Sequence, residues 1–108
     1  MNDPLRMLHL EDDPDYCDLV RALLAQEGYR VESVLADDRA SFQAALAPEK
    51  FDVILADYSL PSYNGLEALR LAREKCPDTP FLLVSGTIGE EAAIESLKCG
   101  ATDYVLKQ

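Results

Sequence analysis

The sequence predicts an α/β fold built on a doubly wound, five-stranded parallel sheet. Three observations carry this expectation. Four apolar runs are short and continuous, "LRMLHL" (5–10), "FDVILA" (51–56), "FLLV" (81–84) and "YVL" (104–106), as in parallel strands buried on both faces. The stretches between them repeat apolar residues three and four apart, the spacing of a helix with one buried side. Turn-forming residues stand where that alternation changes, at Gly28, Pro48, Asn64-Gly65, Pro77 to Pro80 and Gly100.

Taken in order, "LRMLHL" is the first strand, and Leu19, Val20, Leu23 and Leu24 form the apolar stripe of the helix after it. "YRVESV" (29–34) alternates apolar and polar residues, which fits a strand at the edge of the sheet. "RASFQAAL" is the second helix and "FDVILA" the third strand. Leu66, Leu69, Ala72 and Cys76 mark the third helix, "FLLV" the fourth strand, "EEAAIESLKC" the fourth helix and "YVL" the fifth strand. Strands alternating with helices make βαβ units, whose right-handed crossovers put helices on both faces of one sheet. Residues 1–108 contain no repeat, linker or low-complexity tract and are read as a single domain with one modest core.

Twenty Asp and Glu against ten Lys and Arg give a net charge of −10, which argues against direct nucleic-acid binding and for a cation or a basic protein partner. No apolar run approaches the roughly 20 residues of a membrane span, and "MNDPLRM" lacks the regions of a secretory signal, so a cytoplasmic location without membrane attachment is expected. Cys17, Cys76 and Cys99 lack CxxC pairing and fall in helical stretches, which predicts small buried thiols and neither a disulfide framework nor a zinc site.

In open parallel sheets ligands bind at the carboxyl ends of the strands. The first strand delivers Glu11, Asp12 and Asp13 there, the third Asp57, the fourth Ser85 followed by Gly86, and the fifth Lys107. Each has an ordinary structural reading. Asp13 before Pro14 is an N-cap, Asp57 could open a turn, Thr87 and Glu90 resemble a capping box, and a lysine is usually solvated. Lone His9, between two leucines, is read as a strand side chain. The convergence is what points to chemistry. Carboxylates forced together repel, so Glu11, Asp12 and Asp57 call for a cation, and an all-oxygen donor set selects a hard ion, Mg²⁺. A cation beside a carboxylate, a lysine and a hydroxyl suits phosphoryl transfer onto Asp57, with Mg²⁺ and Lys107 neutralising the transferred group and Ser85 donating to one of its oxygens. Gly86 leaves room for the donor. No GxxxxGK[ST] or GxGxxG turn is present, so the phosphoryl group should come from a partner.

At these residues the chain resembles the receiver domain of bacterial two-component response regulators, from about Leu5 to Lys107. "LHLEDD" resembles the acidic pocket of that family, "DVILADYSLPSYNGLEAL" its phosphoacceptor segment, and "FLLVSGTIGEEAAIESLKCGATDYVLK" its Ser/Thr, aromatic and lysine segment. The resemblance implies a flavodoxin-like (CheY-like) strand order, 2-1-3-4-5. It implies that Asp57 accepts phosphate from a histidine kinase or phosphotransfer protein, with Glu11, Asp12, Asp57 and the Ser59 carbonyl around Mg²⁺. It also implies that Ser85 and Lys107 contact the phosphoryl group, and that Ser85 and Tyr104 form a switch that changes a protein-interaction face. The domain would assist only its own phosphorylation and dephosphorylation and would act on an output domain or partner outside this chain.

Two departures modify these expectations. Gln108 stands where the family usually has proline, so a trans Lys107–Gln108 bond is expected. The sequence stops where the family continues into a fifth helix, so that helix is expected to be missing, with apolar surface left exposed or covered by a second copy in a homodimer. "VSGTIGEE" and the absent proline resemble receivers of hybrid sensor histidine kinases. The alternatives are a receiver-like binding module that works without phosphorylation and, further off, a Mg²⁺-dependent phosphatase or a flavodoxin-like cofactor binder.

Overall fold

The computed structural model has nine elements: β1 (Leu5–Leu10), α1 (Pro14–Gln26), β2 (Val31–Ala36), α2 (Arg39–Leu46), β3 (Val53–Asp57), α3 (Gly65–Lys75), β4 (Phe81–Ser85), α4 (Glu90–Lys98) and β5 (Asp103–Leu106). It describes residues 4–47, 50–58, 60–61, 63–86 and 90–106; Pro48, Ser59, Thr87, Lys107 and Gln108, all singled out by the sequence, lie outside the described residues. The five strands are parallel in the order β2-β1-β3-β4-β5, as the resemblance implied.

Local chemistry sets the helix ends. Asp13 caps α1, its carboxylate accepting the Asp15 N–H at 3.0 Å, with Pro14 in the first turn where its missing N–H costs nothing. Gly28 leaves α1 with a φ of 94°, a conformation open to glycine and strained for other residues. Asp38 and Ser41 form a reciprocal capping box on α2. Asn64 caps α3 by accepting the Leu66 N–H at 2.7 Å, so Asn64-Gly65 is a helix start as well as a turn.

Alternation along β1 sends Leu8 and Leu10 to one face and Met7 and His9 to the other. Leu8 and Leu10 join Phe42 of α2, Leu69 and Ala72 of α3, and Ile54, Phe81 and Leu83 of the neighbouring strands in the main core. Each fully buried large side chain there contributes about 1.5–3 kcal/mol. On the opposite face α1 buries Cys17, and the Tyr16 ring meets His9 edge-on at 6.1 Å. His9, 1% exposed, is thus the strand side chain the sequence suggested.

Three expectations are corrected. β2 runs two residues later than "YRVESV", because the turn at Gly28 takes in the Tyr29 N–H, which donates to Leu24 at 3.0 Å, and pairing with β1 starts with Leu5 opposite Val31. In α1, Leu19 and Leu23 are 49% and 51% exposed: the side facing the sheet runs through Cys17, Val20 and Leu24, and their neighbours are turned about 100° away. Of the three cysteines, only Cys17 is buried within a helix; Cys76 and Cys99 follow the ends of α3 and α4 and are half-buried. Among the described residues no helix is long and apolar enough to cross a membrane.

Candidate functional site

The strand order reverses between β1 and β3, which places a crevice at their carboxyl ends. Register brings the acids there. Leu10 pairs with Ala56, so Glu11 leaves β1 level with Asp57, the last residue of β3. Glu11 continues the sheet by one residue, its N–H donating to Ala36 at 2.8 Å, and its carboxylate accepts the Asp13 N–H at 3.2 Å. One carboxylate oxygen from each of Glu11, Asp12 and Asp57 lies within 4.8 Å of the others; Glu11 and Asp57 are buried and Asp12 is exposed. Two ionised carboxylates at this range repel by on the order of 3 kcal/mol at an effective dielectric near 20. A cation held between them offsets that repulsion.

The donor set fits a hard divalent ion. All three groups offer carboxylate oxygen, the exposed Asp12 leaves an open side on which an ion could keep water, and no His or Cys joins the cluster among the described residues. A hollow of about 340 Å³ adjoins it, lined by Glu11, Asp12, Pro14, Cys17, Leu35 and Asp37 among others. A wider one of about 600 Å³, lined by residues of α2 and α3 such as Gln43, Leu46, Leu71 and Glu74, has none of the three clustered acids, so size does not locate the chemistry.

Ser85 closes β4, one residue beyond Val84, the partner of Asp57, and is fully buried. A Cβ at Gly86 would meet nothing within 4 Å, the open space expected there. Tyr104 pairs with Leu83 and stands away from the acids, against the main core. Ser59 and Lys107, the remaining residues expected at the site, lie outside the described residues.

Two further residues shape the site. A Cβ on Gly65 would stand 2.7 Å from Leu83 Cδ2 and 2.8 Å from Tyr58 Cα, so only glycine lets the start of α3 approach the end of β3 this closely. Its N–H reaches the Tyr58 carbonyl at 3.3 Å, and the Tyr58 N–H donates to Val84 at 2.8 Å. Asn-Gly was the sequence signal for the first residue, although it read as a turn; nothing in the sequence set Tyr58 apart.

Known proteins share this fold. The response regulator receiver domain family matches residues 7–108. The chain is 32% identical over 101 residues to the transcriptional regulatory protein ZraR of Klebsiella oxytoca, covering 94% of this chain and 22% of that protein. Among solved structures it resembles a CheY-like response regulator receiver domain protein of Methanospirillum hungatei (31% identity, TM-score 0.83, 97% of this chain and 82% of that one). It also resembles the BeF₃-activated receiver domain of Klebsiella pneumoniae RstA (29% identity, TM-score 0.82, 95% and 86%). The chain spans between about a fifth and a half of the length of the curated relatives it matches. With its fold, its strand order and nearly its whole length in agreement, the chain belongs to the receiver domain family of two-component response regulators.

Proposed function

We propose that Asp57 is the phosphoacceptor of this receiver domain. A carboxylate oxygen of Asp57 attacks the phosphorus of a phosphohistidine on a histidine kinase or phosphotransfer protein. The P–N bond breaks, the imidazole leaves with the electron pair, and an aspartyl phosphate forms. Glu11, Asp12 and Asp57, with the Ser59 carbonyl, would hold Mg²⁺, which supplies charge compensation for the carboxylates and the transferred group. Ser85 donates a hydrogen bond to a phosphoryl oxygen, and Lys107 adds positive charge. Displacement of Ser85 toward the phosphate draws on the position of Tyr104 and alters the face formed by α4 and β5. The domain turns over no external substrate; it assists its own phosphorylation and dephosphorylation in the cytoplasm and passes the signal to an output domain or partner protein.

The observation that carries this reading is the meeting of Glu11, Asp12 and Asp57 within 4.8 Å at the point where the strand order reverses. A related receiver domain activated by BeF₃ supports it. Incubation with acetyl phosphate, followed by intact mass, tests it. One phosphoryl group is expected on the wild type with Mg²⁺ present, and none without Mg²⁺ or in Asp57→Asn. A folded wild type that gains no mass would refute the assignment.

A further inference from the structure

The loop between β3 and α3 directly follows Asp57, yet it turns two large side chains into the main core: Leu60 is 7% exposed and Tyr63 5%. Connecting segments ordinarily run over the surface, so these two residues tie this one down. Its first leg is held by Tyr58, whose N–H donates to Val84 at 2.8 Å and whose ring meets that of Tyr104 across β4, edge-on at 6.3 Å. Its returning leg runs through Tyr63 to Asn64 and Gly65, and the Gly65 N–H closes the loop on the Tyr58 carbonyl at 3.3 Å.

Tyr63 also has a partner outside the loop. Its ring packs against that of Phe42 in α2, with centroids 5.9 Å apart and planes tilted by 57°, within the range where aromatic rings attract. Phe42 is fully buried, and α2 is held in place by the capping box of Asp38 and Ser41 before it and by Leu46 one turn after it, in the same core. The helix thus offers a fixed wall, and Tyr63 fastens the loop to it.

We propose that Tyr63 is a positioning residue for the metal site, which, seated against Phe42, holds the β3–α3 loop in shape before an ion arrives. This rests on the reading given above, in which Glu11, Asp12 and Asp57 hold Mg²⁺ together with the Ser59 carbonyl of this loop. Glu11 and Asp57 are placed by strand register and need no help from Tyr63. The loop lies outside the sheet. Without its anchor, binding the ion would also have to order the loop, which lowers the affinity.

The test is a Mg²⁺ titration of the whole chain followed by the amide shifts of Glu11 and Asp12. Tyr63→Ala, which removes the anchor, should raise the dissociation constant about three- to tenfold, the range of one aromatic pair. Tyr63→Phe keeps the ring and should stay within about twofold of wild type. Phe51→Leu controls for a loosened core: Phe51 belongs to the same core but precedes β3, at the end of the strand away from the acids. It should lower the urea midpoint and leave the constant unchanged. A folded Tyr63→Ala with wild-type affinity would overturn the proposal, and so would an equal weakening in Phe51→Leu. Should Tyr63→Ala not fold, Phe42→Leu removes the same ring contact from the side of α2 and should also raise the constant; an unchanged value there overturns the proposal equally. A wild type whose Glu11 and Asp12 amides do not respond to Mg²⁺ refutes the metal reading itself, whereas equal affinity in wild type and Tyr63→Ala refutes only the role of Tyr63.

Discussion

At the amino-terminal end of the sheet, Arg73 of α3 directs its guanidinium at backbone carbonyls: its Nε donates to Gly100 at 2.8 Å, and one terminal nitrogen reaches Thr79 at 2.7 Å, Pro77 at 3.1 Å and Cys76 at 3.4 Å. These carbonyls belong to the end of α3 and to the loops leading into β4 and β5. A single charge ties three segments together. At the carboxyl-terminal end, Glu11, Asp12 and Asp57 gather like charges within 4.8 Å, where strand pairing and not mutual attraction brings them close. Charge at one end of the sheet secures the fold, and at the other it works against the fold, a cost the proposed Mg²⁺ site would offset.

Removing charge should therefore act differently at the two ends. The largest effect is expected for Arg73→Ala, which deletes charge-assisted hydrogen bonds to four carbonyls, some of which water can satisfy again. A loss of about 2–4 kcal/mol is expected, read from a lower urea midpoint at unchanged slope. The rise in stability on adding Mg²⁺ should survive in this variant, because the acids keep their places. Loss of that rise along with the stability would show that the two ends are not separable.

Asp12→Asn should do the reverse. Removing one of three clustered charges relieves repulsion, so stability without a cation should rise, by less than the roughly 3 kcal/mol of a shielded pair because Asp12 is exposed. The stabilisation by Mg²⁺, about 2.7 kcal/mol where the ion is at a hundred times its dissociation constant, should largely disappear. Thermal unfolding with and without Mg²⁺ measures both quantities. An undiminished Mg²⁺ effect in Asp12→Asn would place the ion elsewhere.

The same contrast governs what could be read from the sequence. The acids were legible because each lies directly after an apolar run, and position along a strand is a local property; hence Glu11, Asp12, Asp57 and Ser85 arrive where expected. The α3 stripe was legible for the same reason, since Leu69 and Ala72 meet a sheet on the side their spacing implies. In α1 the run Leu19, Val20, Leu23 and Leu24 is apolar around too wide an arc to show which half would be buried, and contact with His9 and its neighbours on β1 decided it. Arg73 and Tyr58 were not legible. Their partners lie 27 and 46 residues away, and no local pattern encodes a guanidinium that meets the loop before β5 or a ring that crosses β4.

Asp38 sharpens the contrast, because it is an acid at the carboxyl-terminal end of the sheet that serves the fold. It follows β2, and its carboxylate accepts the Ser41 N–H at 2.8 Å and the Ser41 hydroxyl at 2.7 Å. These bonds, the backbone one foremost, hold its pKa below the ordinary 3.8. A carboxylate lowered on folding contributes stability that is fully present above its unfolded value and is lost as the pH falls through the lowered folded value. The start of α2 should therefore keep its amide protection at pH 5 and lose part of it below pH 3.8, by a small amount because the group is fully exposed. Asp38→Asn keeps a capping oxygen without a titrating proton, so hydrogen exchange at Ser41 should lose this pH dependence in the variant while α2 stays formed. Unchanged pH dependence in Asp38→Asn would show that the Asp38 carboxylate is not its source.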